Sequence, residues 1–277
     1  MENNPLQQYF RQPSIYIKLP SNGENYGDAL DVTENKEYPI LPMTTIDEIT
    51  YRTPDALFNG TAVINVIQSC CPNITNAWKM PSIDVDTVLV AIRIATFGHQ
   101  LDISTKCPAC DEEADYGVDL RMVLEQIEAP DYVDHLEIGD LKIYFQAMTY
   151  EQMNQNNLSQ FEEQRVLQIM QSQELNDQEK LSKMSEILLK ITKITTDALS
   201  QNIKAVETTS DTVTNTDYIR EWLSNCDRNV FTKIRDHILV IKEKSEIKPL
   251  EIDCGACNQH YQQLFTLDMS NFFGDAS

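Results

Sequence analysis

The 277-residue chain, 42% hydrophobic, is long enough for one large domain or two smaller ones. It carries 22 basic against 43 acidic residues, a net charge of −21. That balance opposes sequence-independent binding to phosphate backbones, and suits a well-solvated surface or docking on basic protein partners. No apolar run approaches the roughly 20 residues of a membrane-spanning helix. Residues 1–11 lack the apolar stretch of a secretory signal, so folding in a cytoplasm is expected.

Residues 1–50 read as an extended N-terminal arm with short strands. Ile15-Tyr16-Ile17-Lys18-Leu19 is a strand candidate stopped by Pro20, and Pro39 and Pro42 keep any following strand short or at an edge. Residues 51–104 read as helical. Thr53-Pro54-Asp55 has the form of a helix start, and residues 61–71 continue as helix with Val63, Ile64, Ile67 and Cys71 on one face. Ser82 is placed to cap the next helix, Val85, Val88, Leu89 and Ile92 form its stripe, and Gly98 ends it. Arg93 lies inside this apolar helix, either exposed or paired in the interior.

A strand is expected over 114–120 and a hairpin over 135–147, turning at Gly139-Asp140. Thr149-Tyr150-Glu151-Gln152 is a capping-box pattern. From there to about residue 246 the chain reads as helical, with a short coiled-coil-like seam of Leu181, Met184, Leu188 and Ile191, then Thr195 and Ala198. Residues 208–216 are a polar, Thr-rich break. Asp227 is placed to cap a helix whose inner face carries Val230, Phe231, Ile234, Ile238 and Ile241. Residues 150–247 hold 12 basic and 16 acidic side chains, a net of −4, while the remainder has a net of −17. The contrast marks 150–247 as an insertion with its own surface. A last strand is expected over 261–267.

Two cysteine pairs carry the chemistry: Cys107-Pro108-Ala109-Cys110 and Cys254-Gly255-Ala256-Cys257. A C-x-x-C turn brings two sulfurs to one metal, and two such turns close a tetrahedral thiolate site for Zn2+ with no open position. Each pair precedes a strand, as in a zinc ribbon, whereas a redox C-x-x-C opens a helix. Cys110 and Cys254 are 144 positions apart, far beyond a compact ribbon. A helical excursion that leaves and returns at neighbouring points reconciles that spacing, because loop-closure entropy grows only logarithmically with length. His260 is an alternative fourth ligand. Cys70, Cys71 and Cys226 read as small buried side chains.

The expected fold class is therefore α+β and helix-rich: a zinc-ribbon-like β module, 105–149 plus 248–273, split by a long helical-hairpin or bundle insertion over 150–247. One structural zinc per chain is expected, on Cys107, Cys110, Cys254 and Cys257. The sequence has no Gly-rich phosphate loop, no G-x-S-x-G and no metalloprotease histidine spacing, so a non-enzymatic protein is expected.

Longer stretches carry a family likeness. The run from Tyr51 to Gly60 (YRTPDALFNG), that from Val63 to Pro72 (VINVIQSCCP), Met80 to Asp86 (MPSIDVD) leading to Ala91 to Gly98, the opening Tyr9-Phe10-Arg11, and the ending Ser270-Asn271-Phe272-Phe273 resemble the T4-type baseplate protein family of contractile-tail phages. The resemblance covers roughly residues 5–120 and 245–273. It implies a component or assembly factor of the baseplate hub region, made in an infected bacterium and located in the virion tail or the host cytoplasm during assembly. It also implies other tail proteins as partners; the net charge of −21 and the lack of a membrane-length apolar run add the expectation of no nucleic acid and no membrane, and no small-molecule substrate is expected. The competing reading from the cysteines alone is a zinc-ribbon nucleic-acid-binding or transcription-associated module, which the charge of −21 opposes.

Overall fold

The structure is a computed structural model that describes residues 5–52, 60–130, 132, 134–172 and 177–265, with the side chains of 167–181 excepted. The helix start at Thr53-Pro54-Asp55, the seam residue Leu181 and the ending 270–273 lie outside the described residues or side chains. The chain divides into two compact units: unit 1 is Met1–Ala129 with Lys244–Ser277, and unit 2 is Pro130–Glu243. Among the described residues no helix is long and apolar enough to cross a membrane.

In unit 1 the N-terminal segment is built into the core. Strands β1 (Ile15–Ile17) and β2 (Tyr38–Ile40) pair antiparallel, and Tyr38 and Ile40 are fully buried. Arg11 fixes the segment before β1. Its guanidinium donates to the carbonyls of Pro42 and Ser69, the Ser69 hydroxyl and Asp47 Oδ2. Asp47 also closes a capping box with Thr44 at the start of α1 (Thr45–Tyr51). Helix α2 (Thr61–Cys70) buries Val63, Ile64 and Ile67, and ends before Cys71 and Pro72.

Helix α3 (Ser82–Phe97) buries Val85, Val88, Leu89 and Ile92, and Gly98 ends it at φ +88°. Ser82 is its first helical residue and not its cap, which falls on Pro81. Asp84, in the first turn, accepts from the Ser21 amide and hydroxyl and from the Tyr26 hydroxyl. That carboxylate thus fastens the loop after β1 to α3. Arg93 is buried, with its guanidinium over the Phe97 ring at 4.5 Å. Strands β3 (Gln100–Lys106) and β4 (Glu113–Asp119) form a hairpin that runs into α4 (Leu120–Gln126).

Unit 2 corrects the expected boundary. Strands β5 (His135–Ile138) and β6 (Leu141–Phe145) do not join the cysteine module. β6 pairs with β7 (Ile203–Glu207), which pairs with β8 (Thr212–Val213), giving an antiparallel sheet in the order β5-β6-β7-β8. The expected helical insertion is therefore α+β. The Thr-rich break is the β7–β8 turn, where the Thr208 amide donates to the Asp211 carbonyl at 2.8 Å. The reason is apolar burial: Ile143, Phe145, Ile203 and Val206 of the sheet cluster with Leu199, Ile219, Leu223, Ile234, Ile238 and Ile241.

Between β6 and β7 run α5 (Tyr150–Ser172) and α6 (Asp177–Gln201), packed antiparallel, with Asn156 bonded to Gln201 and Lys190 paired with Glu163. The capping box forms as read: the Gln152 amide donates to Thr149 Oγ1, and the Thr149 amide to Gln152 Oε1. The expected seam is packed only in its second half, where Ile191, Thr195 and Ala198 are half-buried. Met184 and Leu188 are exposed while Ile187 is buried. Successive residues point about 100° apart on a helix, so in the first half of α6 the face turned inward lies beside the seam. Helices α7 (Thr216–Asn225) and α8 (Arg228–Ser245) complete the unit, and Asp227 caps α8 through the amides of Asn229 and Val230.

Candidate metal centre

The chain leaves unit 1 after Ala129 and re-enters it at Lys244. The two ends lie side by side, since the Glu128 amide donates to the Lys244 carbonyl at 3.2 Å. The returning chain forms β9 (Leu250–Asp253) and β10 (His260–Gln263), a second antiparallel hairpin. Unit 1 thus holds two hairpins, each with a C-x-x-C segment in place of a simple turn.

The two turns match position by position. The Cys107 amide donates to the Glu112 carbonyl at 2.9 Å, and the Cys254 amide to the Gln259 carbonyl at 2.9 Å. The Asp111 amide donates to the Cys107 carbonyl at 3.0 Å, and the Asn258 amide to the Cys254 carbonyl at 2.9 Å. Asp111 and Asn258 take left-handed φ values of +59° and +57°. Asp and Asn tolerate that region better than other side-chain-bearing residues. These two positions escaped the sequence reading, although an Asp or Asn directly after each second cysteine was the available signal.

All four sulfurs lie within 4.8 Å of one another. Cys107 Sγ is 3.8 Å from Cys257 Sγ, and Cys110 Sγ is 3.7 Å from Cys254 Sγ. A tetrahedral site with Zn–S bonds of about 2.3 Å has sulfur–sulfur edges of about 3.8 Å, so the donor set and spacing fit that ion. Cys107 and Cys254 are buried, and Cys110 and Cys257 exposed. The thiols share charge unevenly. Backbone amides of Cys257 and Ala256 bring Cys254 down to about 7. Cys110 also receives the Glu112 amide, but Cys257 and burial outweigh it and push Cys110 up to about 12.

The hairpins also touch through side chains. Thr105 donates to Gln263 Oε1 at 2.8 Å, and the Tyr116 hydroxyl reaches the Asp253 carbonyl at 3.4 Å. His260 stands outside the four-sulfur group: its Nδ1 is 2.9 Å from Asp253 and its Nε2 2.8 Å from Glu251. Cys70 and Cys71 are buried, and burial pushes their thiols up to about 12 and about 11. Cys226 is half-buried and near the Leu223 carbonyl. None of the three joins the cluster.

Comparison with known proteins adds one match. The family model described as T4 bacteriophage base plate protein covers residues 13–274. It runs through 150–247, which the residue-level likeness had left out. No curated protein and no solved structure matches.

Proposed function

The chain belongs to the T4 bacteriophage base plate protein family, and from that membership we propose that it is a non-enzymatic component or assembly factor of the baseplate hub region, binding other tail proteins through a unit stapled by a structural zinc ribbon. One observation carries the zinc reading: cysteines 144 and 150 positions apart reach sulfur–sulfur spacings of 3.7 and 3.8 Å on two matching turns. Cys107, Cys110, Cys254 and Cys257 are the ligands in this reading. Bound there, Zn2+ supplies positive charge to four clustered thiolates and cross-links the two hairpins.

A closed four-sulfur shell has no exchangeable position for a substrate or water, which supports a structural over a catalytic role. The net charge of −21 favours protein over nucleic-acid partners. The test is a pull-down of purified baseplate proteins on the zinc-loaded chain, beside a gel-shift assay with double-stranded DNA. Retention of a baseplate protein without a DNA shift is expected. A DNA shift without any retained tail protein contradicts the proposal.

A further inference from the structure

β4 and β9 each use one edge on a hairpin partner, β4 with β3 and β9 with β10, and each of these sheets has two strands. Their other edges border one groove, lined by Tyr116, Gly117 and Val118, by residues 249–253, and by Gln126. Consecutive residues from both faces of each strand line it, and a strand presents both faces only along its edge. Among the described residues no main-chain hydrogen bond joins β4 to β9. The Tyr116 hydroxyl bond to the Asp253 carbonyl closes one end. Open backbone donors and acceptors on both sides of a groove are a template for an added strand.

The rim has a sign. Asp115 and Asp119 lie on β4, Glu251 and Asp253 on β9, and neither strand carries a lysine or arginine. Arg121 pairs with Asp119, and His260 with Glu251 and Asp253, while Asp115 accepts from the Ser104 hydroxyl and has no cation among the described residues. A second copy of this chain, itself at −21, is repelled from such a rim.

We infer that the groove between β4 and β9 accepts an extended, cationic segment of another tail protein as an added strand. The inference rests on the zinc-ribbon reading, which holds the two hairpins at this separation. Backbone pairing supplies the binding, and lysine or arginine side chains on the outward face meet Asp115, Glu251 and Asp253.

The test uses the full chain with its zinc content measured, and three fluorescent synthetic peptides. One alternates lysine and valine, one is the same peptide with alternate amides N-methylated, and one alternates glutamate and valine. The lysine–valine peptide is expected to bind and to slow amide exchange within residues 116–118 and 250–252. N-methylation removes strand donors without changing charge, and is expected to weaken binding about tenfold. The glutamate–valine peptide is expected not to bind, and Glu251→Lys to reduce lysine–valine binding several-fold. Equal binding by the N-methylated peptide reduces the effect to charge alone and overturns the inference. Zinc-loaded protein that ignores the lysine–valine peptide also overturns it, while leaving the zinc reading intact. Peptide binding by zinc-free protein with the same protected amides upholds the added strand and removes its dependence on zinc.

Discussion

In unit 2 the β5–β6 hairpin rests on a continuous apolar cluster, with Ile143 and Phe145 buried against Ile203, Ile234, Ile238 and Ile241. In unit 1 the β3–β4 and β9–β10 hairpins bury far less. Thr105, Val118 and Ile252 are their interior residues, and the remaining inward positions are half-buried. Fully burying one large apolar side chain contributes about 1.5–3 kcal/mol, so the sheet of unit 2 can be held by its own side chains. The cysteine hairpins lack that resource, and their buried residues include Cys107 and Cys254 themselves. On the proposed zinc reading, similar hairpins are therefore held in two ways, by apolar area in one unit and by a four-sulfur metal site in the other.

The comparison breaks most visibly under a pair of substitutions. Cys254→Ser removes one of the four proposed ligands, and loss of a structural zinc site costs several kcal/mol, so cooperative folding of the cysteine hairpins is expected to disappear. Phe145→Ala leaves a cavity in unit 2 and is expected to cost about 3–5 kcal/mol there. Amide exchange resolved by segment separates the two. Cys254→Ser should expose 100–119 and 250–263, and Phe145→Ala should expose 135–145 and 203–213. Exposure of the same segments by both variants would remove the distinction.

A smaller effect sharpens it by pH. Burial raises Asp84 and Asp86 in unit 1 to about 6, and Glu246 adds to the rise at Asp86. The folded chain then holds extra protons between the ordinary carboxylate value of about 4 and about 6, so each group adds stability that is full below about 4 and lost as pH rises through about 6. Each contributes about 3 kcal/mol over that window. Zinc binding has the opposite slope, since its thiolates must lose protons. Asp84→Asn should therefore remove about half of the carboxylate slope, measured as the difference from wild type in denaturant midpoints across that pH window. An unchanged slope would count against the buried-carboxylate explanation.

The smallest effect is expected from excision. The Glu128–Lys244 hydrogen bond closes the exit and return points of unit 2. Replacing residues 130–243 with a short Gly-Ser bridge should leave unit 1 folded and able to bind its metal, as judged by helical signal and zinc content. An insoluble, metal-free product would show that unit 1 depends on unit 2.

Much of this was legible in the sequence where a local rule decides the outcome. The capping box at Thr149 and Gln152, the cap at Asp227, the stop at Gly98 and the stripe of α3 formed as read. The four cysteines were legible because thiolate pairs at this spacing have few other uses, and their convergence required only that 130–243 begin and end at one place. What escaped depends on distant partners. Nothing local to β6 says that it pairs with β7, some 60 residues on, and the seam through Met184 and Leu188 fits a helix pair as well as the packed face of Ile187 does. The roles of Arg11 and Asp84 were hidden likewise, because their partners, Asp47 and Ser69, and Ser21 and Tyr26, lie far away in the chain.

The most direct measurement is metal analysis of the purified chain together with X-ray absorption at the zinc edge. One zinc per chain in a shell of four sulfur neighbours at about 2.3 Å is the expected result. A preparation that folds normally with no bound metal, or a shell containing nitrogen or oxygen in place of any of the four sulfurs, would contradict it.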